Sequence, residues 1–404
     1  SFVDYNFLGQ HFDPILLAFA GIYALGGGVK TLLLIQAACV GVSSLPLFLA
    51  TRRLTGNALA GFACSGAFLL SAQLHTALGF DFHPETLAFF FVFLSLYFLS
   101  SRRPRAAVIA VLPLLLLKED LAMVTLAMAM IIALRGHRRA GALLAAVSIT
   151  WAVVIVFGVM PLLRQGEASD LALRYSYLFK GSSLLELMPV AIYRGAVHLS
   201  HNTLLPIGRI LASGGIVGLL SPFTMLLTAP NLLISGLATH PQQSRLELHY
   251  SVPTLALVWV SVAFGLEQAS RLLRGRALAL SMVGTALLAI AALTFFVWSP
   301  YAPGRAQSNL DSQHRQALTE ALALIPPEAS LEAQSSILPH LSARRDVYEF
   351  PNDRVLEYVI VDARLPVTTQ SRAAGFSDQL SALTDSGYQR IFARDSVQVF
   401  RRSQ

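Results

Sequence analysis

Nine apolar runs occupy most of the first 300 residues, and several are long enough to cross a lipid bilayer. A bilayer core of about 30 Å requires about 20 apolar residues in a helix, whereas a soluble protein of this size does not need so many runs of that length. The runs lie at 31–50, 58–78, 86–99, 106–134, 140–163, 206–220, 222–238, 251–266 and 277–298. The sequence therefore predicts a mainly α-helical, polytopic membrane domain.

The distribution of charge divides the chain into two parts. Charged residues make up 13% of the 404 residues, about half of the share that is typical of a soluble protein. Residues 1–300 hold 19 Lys and Arg against 11 Asp and Glu, whereas residues 301–404 hold 11 against 12. The net charge of +7 thus belongs to the apolar part, where it indicates topology and not a nucleic-acid partner. We predict a transmembrane domain over 1–300 and a soluble domain over 301–404.

Arginine-rich connections predict how the chain crosses the membrane. Four short connections carry most of the arginines of the apolar part, at 52–53, 101–105, 135–139 and 271–276. Basic residues accumulate in cytoplasmic loops, so placing these four inside fixes the side of every other loop. The result is about ten crossings, with 106–134 as a hairpin and the C-terminal domain on the outer side of the membrane. Because the chain opens at Ser1 without a signal-type segment, we expect an N-terminal piece to precede it.

Acidic residues are strongly one-sided in this topology. Of the 11 Asp and Glu in residues 1–300, ten fall on the outer side and only Glu267 falls on the inner side. Two interpretations are open. Either the outer loops merely lack the arginine bias, or the outer face carries a site lined by carboxylates.

Ionisable residues within the predicted hairpin favour the second interpretation. Lys118, Glu119 and Asp120 lie between two leucine-rich stretches, where each charge would cost a few kcal/mol if it faced lipid. Such residues usually line a polar cavity, so we predict a binding site here. A self-neutralised Lys/Glu cluster at a hairpin tip is the structural alternative.

Two further outer segments carry candidate site residues. In the loop 79–85, Asp81, His83 and Glu85 alternate and could converge if the loop is extended, although a polar loop with aromatic anchors would look the same. In the segment 244–251, the candidates are Arg245, His249 and Tyr250, which offer contacts to phosphate or hydroxyl groups. No local spacing specifies a transition-metal site, while a divalent ion bridging a carboxylate and a pyrophosphate is the alternative that the carboxylates leave open.

The C-terminal 90 residues alternate helical and strand patterns. Apolar spacing predicts a helix at 312–324, strands from 330, at 347–350 and at 358–362, and a closing hairpin at 388–393 and 396–401. This pattern predicts a small α/β domain. The domain contains no catalytic set, so a supporting or acceptor-binding role is expected.

Several motifs together resemble a known family. The motifs are His11-Phe12-Asp13-Pro14, Phe80-Asp81-Phe82-His83-Pro84, Lys118-Glu119-Asp120, His249-Tyr250-Ser251, Ile325-Pro326-Pro327 and Leu338-Pro339-His340-Leu341-Ser342. They resemble a family of bacterial polytopic membrane proteins of unknown function, which in turn resembles the GT-C superfamily of membrane glycosyltransferases. The resemblance implies a polyprenyl-phosphate-linked sugar donor used on the outer face. It also implies a catalytic carboxylate in the first outer loop, a region that lies upstream of Ser1 or close to Asp4.

Two functions are compatible with these residues. In a glycosyltransferase, Asp81, Glu119 or Asp120 would be the base, and Lys118, Arg245 and His249 would hold the lipid phosphate. His11 and His83 would orient the donor or a cell-envelope acceptor (a glycan, lipid or protein), and a loop carrying Arg174, Tyr175 and Lys180 would cover the site. The alternative is a non-enzymatic transporter or lipid-handling protein. Clustering on one face favours the enzyme, because a transporter must expose its site to both faces.

Overall fold

A computed structural model describes residues 6–167, 169–178, 187–304, 312–341, 343–351, 354–364, 376, 378 and 380–403. The chain forms two compact units. The larger unit comprises Tyr5–Gly27 and Thr31–Arg305, and the smaller comprises Ala306–Gln404 with Ser1–Asp4 and Gly28–Lys30. The division after residue 305 lies close to the predicted domain boundary at 300.

The larger unit is helical throughout its described residues. Its α-helices are Leu16–Ala24, Val29–Thr55, Ala58–Leu70, Ala72–Leu78, Ala88–Ser100, Pro104–Val111, Leu114–Leu117, Ala122–Leu134, Arg138–Val154, Met160–Arg164, Asp170–Tyr175, Leu187–Asn202, Leu204–Ala212, Pro222–Leu226, Ala229–Leu237, Pro241–Ser244, Val252–Leu272 and Ala277–Trp298. Short 3-10 turns lie at Phe7–Gly9, Pro84–Leu87, Glu119–Leu121, Ser176–Leu178, Gly215–Leu220 and Leu248–Ser251, and a π-helical turn lies at Ile155–Val159.

Fewer helices are long enough to span a membrane than the arginine pattern predicts. By length and composition, the described residues contain four such helices, Val29–Thr55, Arg138–Arg164, Pro241–Leu272 and Ala277–Trp298. The helices Ala58–Leu70 and Ala72–Leu78, bent by 49° at Ser71, would make a fifth. The other apolar runs form shorter helices, at Pro84–Ser100, Pro104–Leu117 and Pro222–Leu237. The described structure thus supports a mainly helical membrane domain with four or five spans of full length, which is fewer than the predicted number of about ten crossings.

The helix Val252–Leu272 is the centre of the larger unit. In the apolar stretch of 18 residues that could cross the membrane, 94% is buried inside the protein. The corresponding stretches of the other three spans are buried to 28% or less. Gly265 allows this helix to lie close to the 3-10 turn Gly215–Leu220. A Cβ at position 265 would lie 2.1 Å from the main-chain oxygen of Val217. Small residues allow membrane helices to approach in this way.

The predicted hairpin breaks at the expected place. The helix Leu114–Leu117 ends at Lys118, whose backbone is extended, and the 3-10 turn Glu119–Leu121 then leads into the helix Ala122–Leu134. The three charged residues therefore occupy an interruption between two apolar helices and not the middle of one.

The single acidic residue on the arginine-rich side is neutralised by arginines. The carboxylate of Glu267 accepts two hydrogen bonds from Arg135, at 2.7 and 3.0 Å, and one of 2.7 Å from Arg271. The guanidinium of Arg135 also lies 4.8 Å from the ring centroid of Phe264. Glu267 is thus a structural partner of two arginine-rich connections, which explains why it is the exception among the acidic residues.

The smaller unit contains a five-stranded mixed sheet, as the α/β pattern predicts. The strands are β1 (Leu331–Ala333), β2 (Val347–Glu349), β3 (Tyr358–Asp362), β4 (Tyr388–Arg394) and β5 (Val397–Arg402), in the order β2-β1-β3-β5-β4. Strand β1 is parallel to β2 and β3, whereas β5 is antiparallel to β3 and β4. The helix Ser312–Ala323 packs on one face of the sheet, and a 3-10 turn lies at Leu338–Leu341. The predicted buried strand is β3, since all five of its residues are buried.

A buried histidine joins the helix of this unit to its sheet. The Nε2 of His314 lies 2.7 Å from Asp362 Oδ2, and its Nδ1 lies 2.9 Å from Asp395 Oδ2. Asp395 also forms an ion pair of 2.6 Å with Arg364. Burial disfavours the charged imidazole, but the two carboxylates outweigh it and raise the pKa of His314 above its ordinary value.

We expect the smaller unit to become less stable as pH rises. A raised pKa in the folded state means that the stabilisation is complete below the ordinary value of about 6.5 and is lost as pH rises through the raised value. Hydrogen exchange of peptides from β3 and β5, corrected for the intrinsic pH dependence of exchange, should therefore accelerate above pH 6.5. His314→Gln should remove this dependence, whereas the same change at the exposed His340 should preserve it. An identical profile in the His314 variant would contradict the prediction.

Candidate functional site

A cavity of about 250 Å³ lies within the larger unit, where the ends of several helices meet. It is lined by His11, Glu85, Lys118, Glu119, Asp120, Ala122, Met123, Ala152, Val156, Arg174, Asn231, Ile234, Ser235, Gln243, His249, Tyr250 and Pro253. Eleven of these seventeen residues are polar or charged, and the other six are apolar. This composition is typical of a site for a small molecule or part of a lipid.

A buried ion pair forms one wall of the cavity. The Nζ of Lys118 lies 2.5 Å from Glu85 Oε1, and the two side chains are only 8% and 3% exposed. The turn Pro84–Leu87 begins with a proline that fits the first position of a helical turn, and this turn places Glu85 opposite the hairpin break. An ammonium group has three N–H donors, so one bond to Glu85 leaves Lys118 able to donate to a ligand.

Glu119 connects the hairpin to the N-terminal segment. Its Oε2 accepts a hydrogen bond of 2.9 Å from the backbone N–H of Phe12, and its Oε1 lies 3.3 Å from the Nδ1 of His11. The N–H of Ile15 also donates to the main-chain oxygen of Leu116. Glu119 therefore holds the segment 11–15 against the hairpin, and its carboxylate is already engaged.

Asp120 differs from the other two carboxylates of the cavity. Its Oδ1 is buried and has no hydrogen-bond partner among the described residues. The carboxylate of Asp120 lies near those of Glu119 and Glu85 and near the ammonium group of Lys118. An oxygen without a partner in the lining of a cavity can accept a proton from a ligand, which is what a general base must do.

Asp13 is a second carboxyl group with an unpaired oxygen. Its Oδ1 is likewise buried without a hydrogen-bond partner in the described part of the chain. Burial, opposed by Lys118 and reinforced by nearby carboxylates, raises the pKa of Asp13 to about 8. Sequence analysis did not predict Asp13 as a site residue, although the residue lies within the motif His11-Phe12-Asp13-Pro14.

A group of stacked rings lies beside the cavity and includes two of its lining residues, His249 and Tyr250. The imidazoles of His83 and His249 stack at 3.7 Å between ring centroids, and Phe80 stacks on His83 at 5.3 Å. Tyr250 lies 4.1 Å from His249 and 6.0 Å from the Nζ of Lys118. The loop 79–85 and the turn Leu248–Ser251 are thus joined through their rings.

Arg174 supplies a second cation that the predicted binding set does not contain. Its Nη1 donates to Gln243 Oε1 at 2.7 Å and lies 3.5 Å from the hydroxyl of Tyr250. The sequence placed Arg174 and Tyr175 in a covering loop, and the structure places Arg174 in the cavity lining. Lys180, the third residue of that loop, lies outside the described residues. Gln243 and Asn231 were also missed, although polar side chains in or next to apolar runs could have indicated them.

The structure brings most of the predicted site residues together. Those that line the cavity are His11, Glu85, Lys118, Glu119, Asp120, His249 and Tyr250. His83 contacts this set through its stacked ring but is not part of the lining. The side chain of Asp81 is exposed, and its main-chain oxygen lies 2.8 Å from the Nδ1 of His83. Arg245 is exposed as well. Among the described residues, no group of three His, Cys, Asp or Glu has an arrangement that would hold a metal ion.

These features define a helical membrane protein with a charged internal cavity and a small sheet-containing unit at its C-terminal end. The chain belongs to the family described as predicted membrane protein (DUF2079), whose model matches residues 1–399. No curated protein matches the chain.

Proposed function

We propose that the protein is a membrane glycosyltransferase of the GT-C type, which transfers a sugar from a polyprenyl-phosphate donor to an acceptor in the cell envelope. The observation that supports this proposal most directly is the free, buried oxygen of Asp120 in a cavity that also holds Lys118 and Arg174. A base and two cations are the groups that an inverting sugar transfer requires.

The cavity residues divide into those that act on the acceptor and those that hold the donor. Asp120 takes the proton from the acceptor hydroxyl while the acceptor oxygen bonds to the anomeric carbon. The bond between that carbon and the phosphate oxygen breaks, and the polyprenyl phosphate leaves with the electron pair. Lys118 and Arg174 hold the phosphate and stabilise its charge, while Glu85 fixes the position of Lys118.

In the proposed membrane topology, the cavity opens on the outer face of a bacterial inner membrane. The arginine-rich connections are then cytoplasmic, and the C-terminal unit is outside the cytoplasm. The shorter apolar helices would complete the remaining crossings, to about ten in all. Labelling of single cysteines at positions 81 and 274 from either side of the membrane would test this orientation.

We expect Asp120→Asn to abolish transfer. The substitution preserves size but removes the base, which typically contributes about 10²–10⁴-fold to the rate. The measurement is transfer from a panel of polyprenyl-phosphate sugars by the purified full chain in nanodiscs. Asp81→Asn is the matched control, because Asp81 lies outside the cavity and should retain wild-type activity.

Two outcomes would contradict the proposal. If Asp120→Asn, folded and expressed at the wild-type level, transfers sugar at the wild-type rate, Asp120 is not the base. If the wild-type protein binds polyprenyl phosphates and moves them between leaflets without transferring sugar, the protein is a lipid carrier and not an enzyme.

A further inference from the structure

A second cavity lies among the arginine-rich connections and outside the site described above. Its volume is about 770 Å³, and it lies between the starts of the helices Pro104–Val111 and Arg138–Val154. It is lined by Pro104, Arg105, Val108, Ile109, Gly136, His137, Arg138, Arg139, Ala140 and Leu143. None of these residues lines the cavity that contains Asp120.

All ionisable side chains of this cavity are basic. They are Arg105, His137, Arg138 and Arg139. In the part of the chain that the structure describes, none of these four side chains forms a hydrogen bond or an ion pair. The contrast with Arg135 is direct, because that neighbouring arginine is held by Glu267 at 2.7 Å. The positive charge of this cavity is therefore uncompensated within the described residues.

The remaining walls are apolar and accessible. Ile109 is 67% exposed and Leu143 is 63% exposed, and each follows its helix start by about one turn. In a membrane protein such side chains face acyl chains. A water-soluble anion would gain nothing from them, whereas a lipid would place its headgroup at the arginines and its chains along Ile109 and Leu143.

Both helices that border the cavity also point their N-terminal ends at it. The first turns begin at Pro104 and Arg138, and the peptide dipoles give the start of a helix a partial positive charge. This field adds to that of the arginines and favours a headgroup with a net negative charge over a zwitterionic one, whose cation is repelled.

We propose that this cavity binds the headgroup phosphate of an anionic phospholipid. Arg105, Arg138 and Arg139 hold the phosphate, and Ile109 and Leu143 contact the acyl chains. The site is independent of the glycosyltransferase proposal, because no residue is shared.

The test is lipid binding to the purified full chain in detergent, measured by native mass spectrometry with phosphatidylglycerol and with phosphatidylcholine of the same acyl chains. We expect the wild-type protein to retain phosphatidylglycerol preferentially and the triple variant Arg105→Ala/Arg138→Ala/Arg139→Ala to bind it about a hundredfold more weakly. The triple variant Arg52→Ala/Arg274→Ala/Arg276→Ala removes three arginines of the same side that do not line the cavity, and it should bind as the wild type does.

The triple variant Arg105→Lys/Arg138→Lys/Arg139→Lys keeps the charge and should keep most of the binding, which separates loss of charge from loss of folding. Equal losses in the two alanine triple variants would overturn the site. If phosphatidylcholine is retained as well as phosphatidylglycerol, the cavity does not select for headgroup charge and is only an apolar groove. If millimolar inorganic phosphate displaces the lipid, the cavity is a site for a soluble anion. Each of these three results excludes the proposal.

Discussion

Lys118→Met should lower the free energy of unfolding by about 3–5 kcal/mol, because it leaves the buried carboxylate of Glu85 without its counter-charge. Glu85 is only 3% exposed, so water cannot replace the lost ammonium group. Unfolding of the full chain in mixed micelles, followed by circular dichroism, measures the change. Lys30→Met is the matched control, because Lys30 is exposed and should tolerate the same substitution.

The double variant Lys118→Met/Glu85→Leu provides the sharper test. Replacing both members of a buried ion pair by apolar residues of similar size is often neutral or stabilising, so the double variant should regain most of the lost stability. It should nevertheless bind the proposed donor more weakly, since one of the two cations of the cavity, Lys118, is gone while Arg174 remains. A double variant as unstable as the single one would show that Lys118 acts through packing and not through its charge.

Gly265→Ala is expected to have the second large effect on stability. The new methyl group would lie 2.1 Å from the main-chain oxygen of Val217 and 2.9 Å from its carbonyl carbon. Main-chain atoms cannot rotate away as a flexible side chain can, so the central helix must separate from the turn Gly215–Leu220. Overpacking of a core typically costs about 1–3 kcal/mol, and we expect the upper end of that range.

Gly41→Ala is the control for this substitution. Gly41 also lies within a long apolar helix, but a Cβ there would meet nothing within 4 Å. Alanine is the better helix former, so this variant should be as stable as the wild type or slightly more stable. Thermal unfolding of the two variants in the same detergent compares them directly, and equal midpoints would contradict the close contact at Gly265.

Sequence patterns correctly predicted the structural elements that depend only on a few adjacent residues. The charged triplet at 118–120 predicted a break in an apolar run, and the structure has an extended residue at Lys118. The continuous apolar stretch at 358–362 predicted a buried strand, and β3 is buried at every residue. In both cases the free energy of burying or exposing a few adjacent side chains decides the outcome, so neighbouring residues suffice to predict it.

The site itself depends on contacts between distant segments, and these were only partly predictable. Arg174 reaches the cavity because it bonds to Gln243, 69 residues away, and no local pattern reports such a pairing. Asp81 and Glu85 are both carboxylates in the same short loop, so the sequence does not distinguish them. Asp81 is nevertheless exposed, whereas Glu85, in the turn that begins at Pro84, is buried. The described residues contain fewer full-length spans than the apolar runs predicted for a similar reason, since run length does not reveal where a helix breaks.

The burial of the helix Val252–Leu272 has a consequence for how the chain enters a membrane. Among the four long spans, the one within Pro241–Leu272 has the lowest mean hydropathy, and it is the one that the rest of the protein encloses. A segment enters the bilayer on its own only if its apolar residues outweigh its polar ones. During synthesis this helix is therefore the span that depends most on neighbours already inserted, and substitutions in those neighbours should reduce the yield of inserted protein before they affect any chemistry.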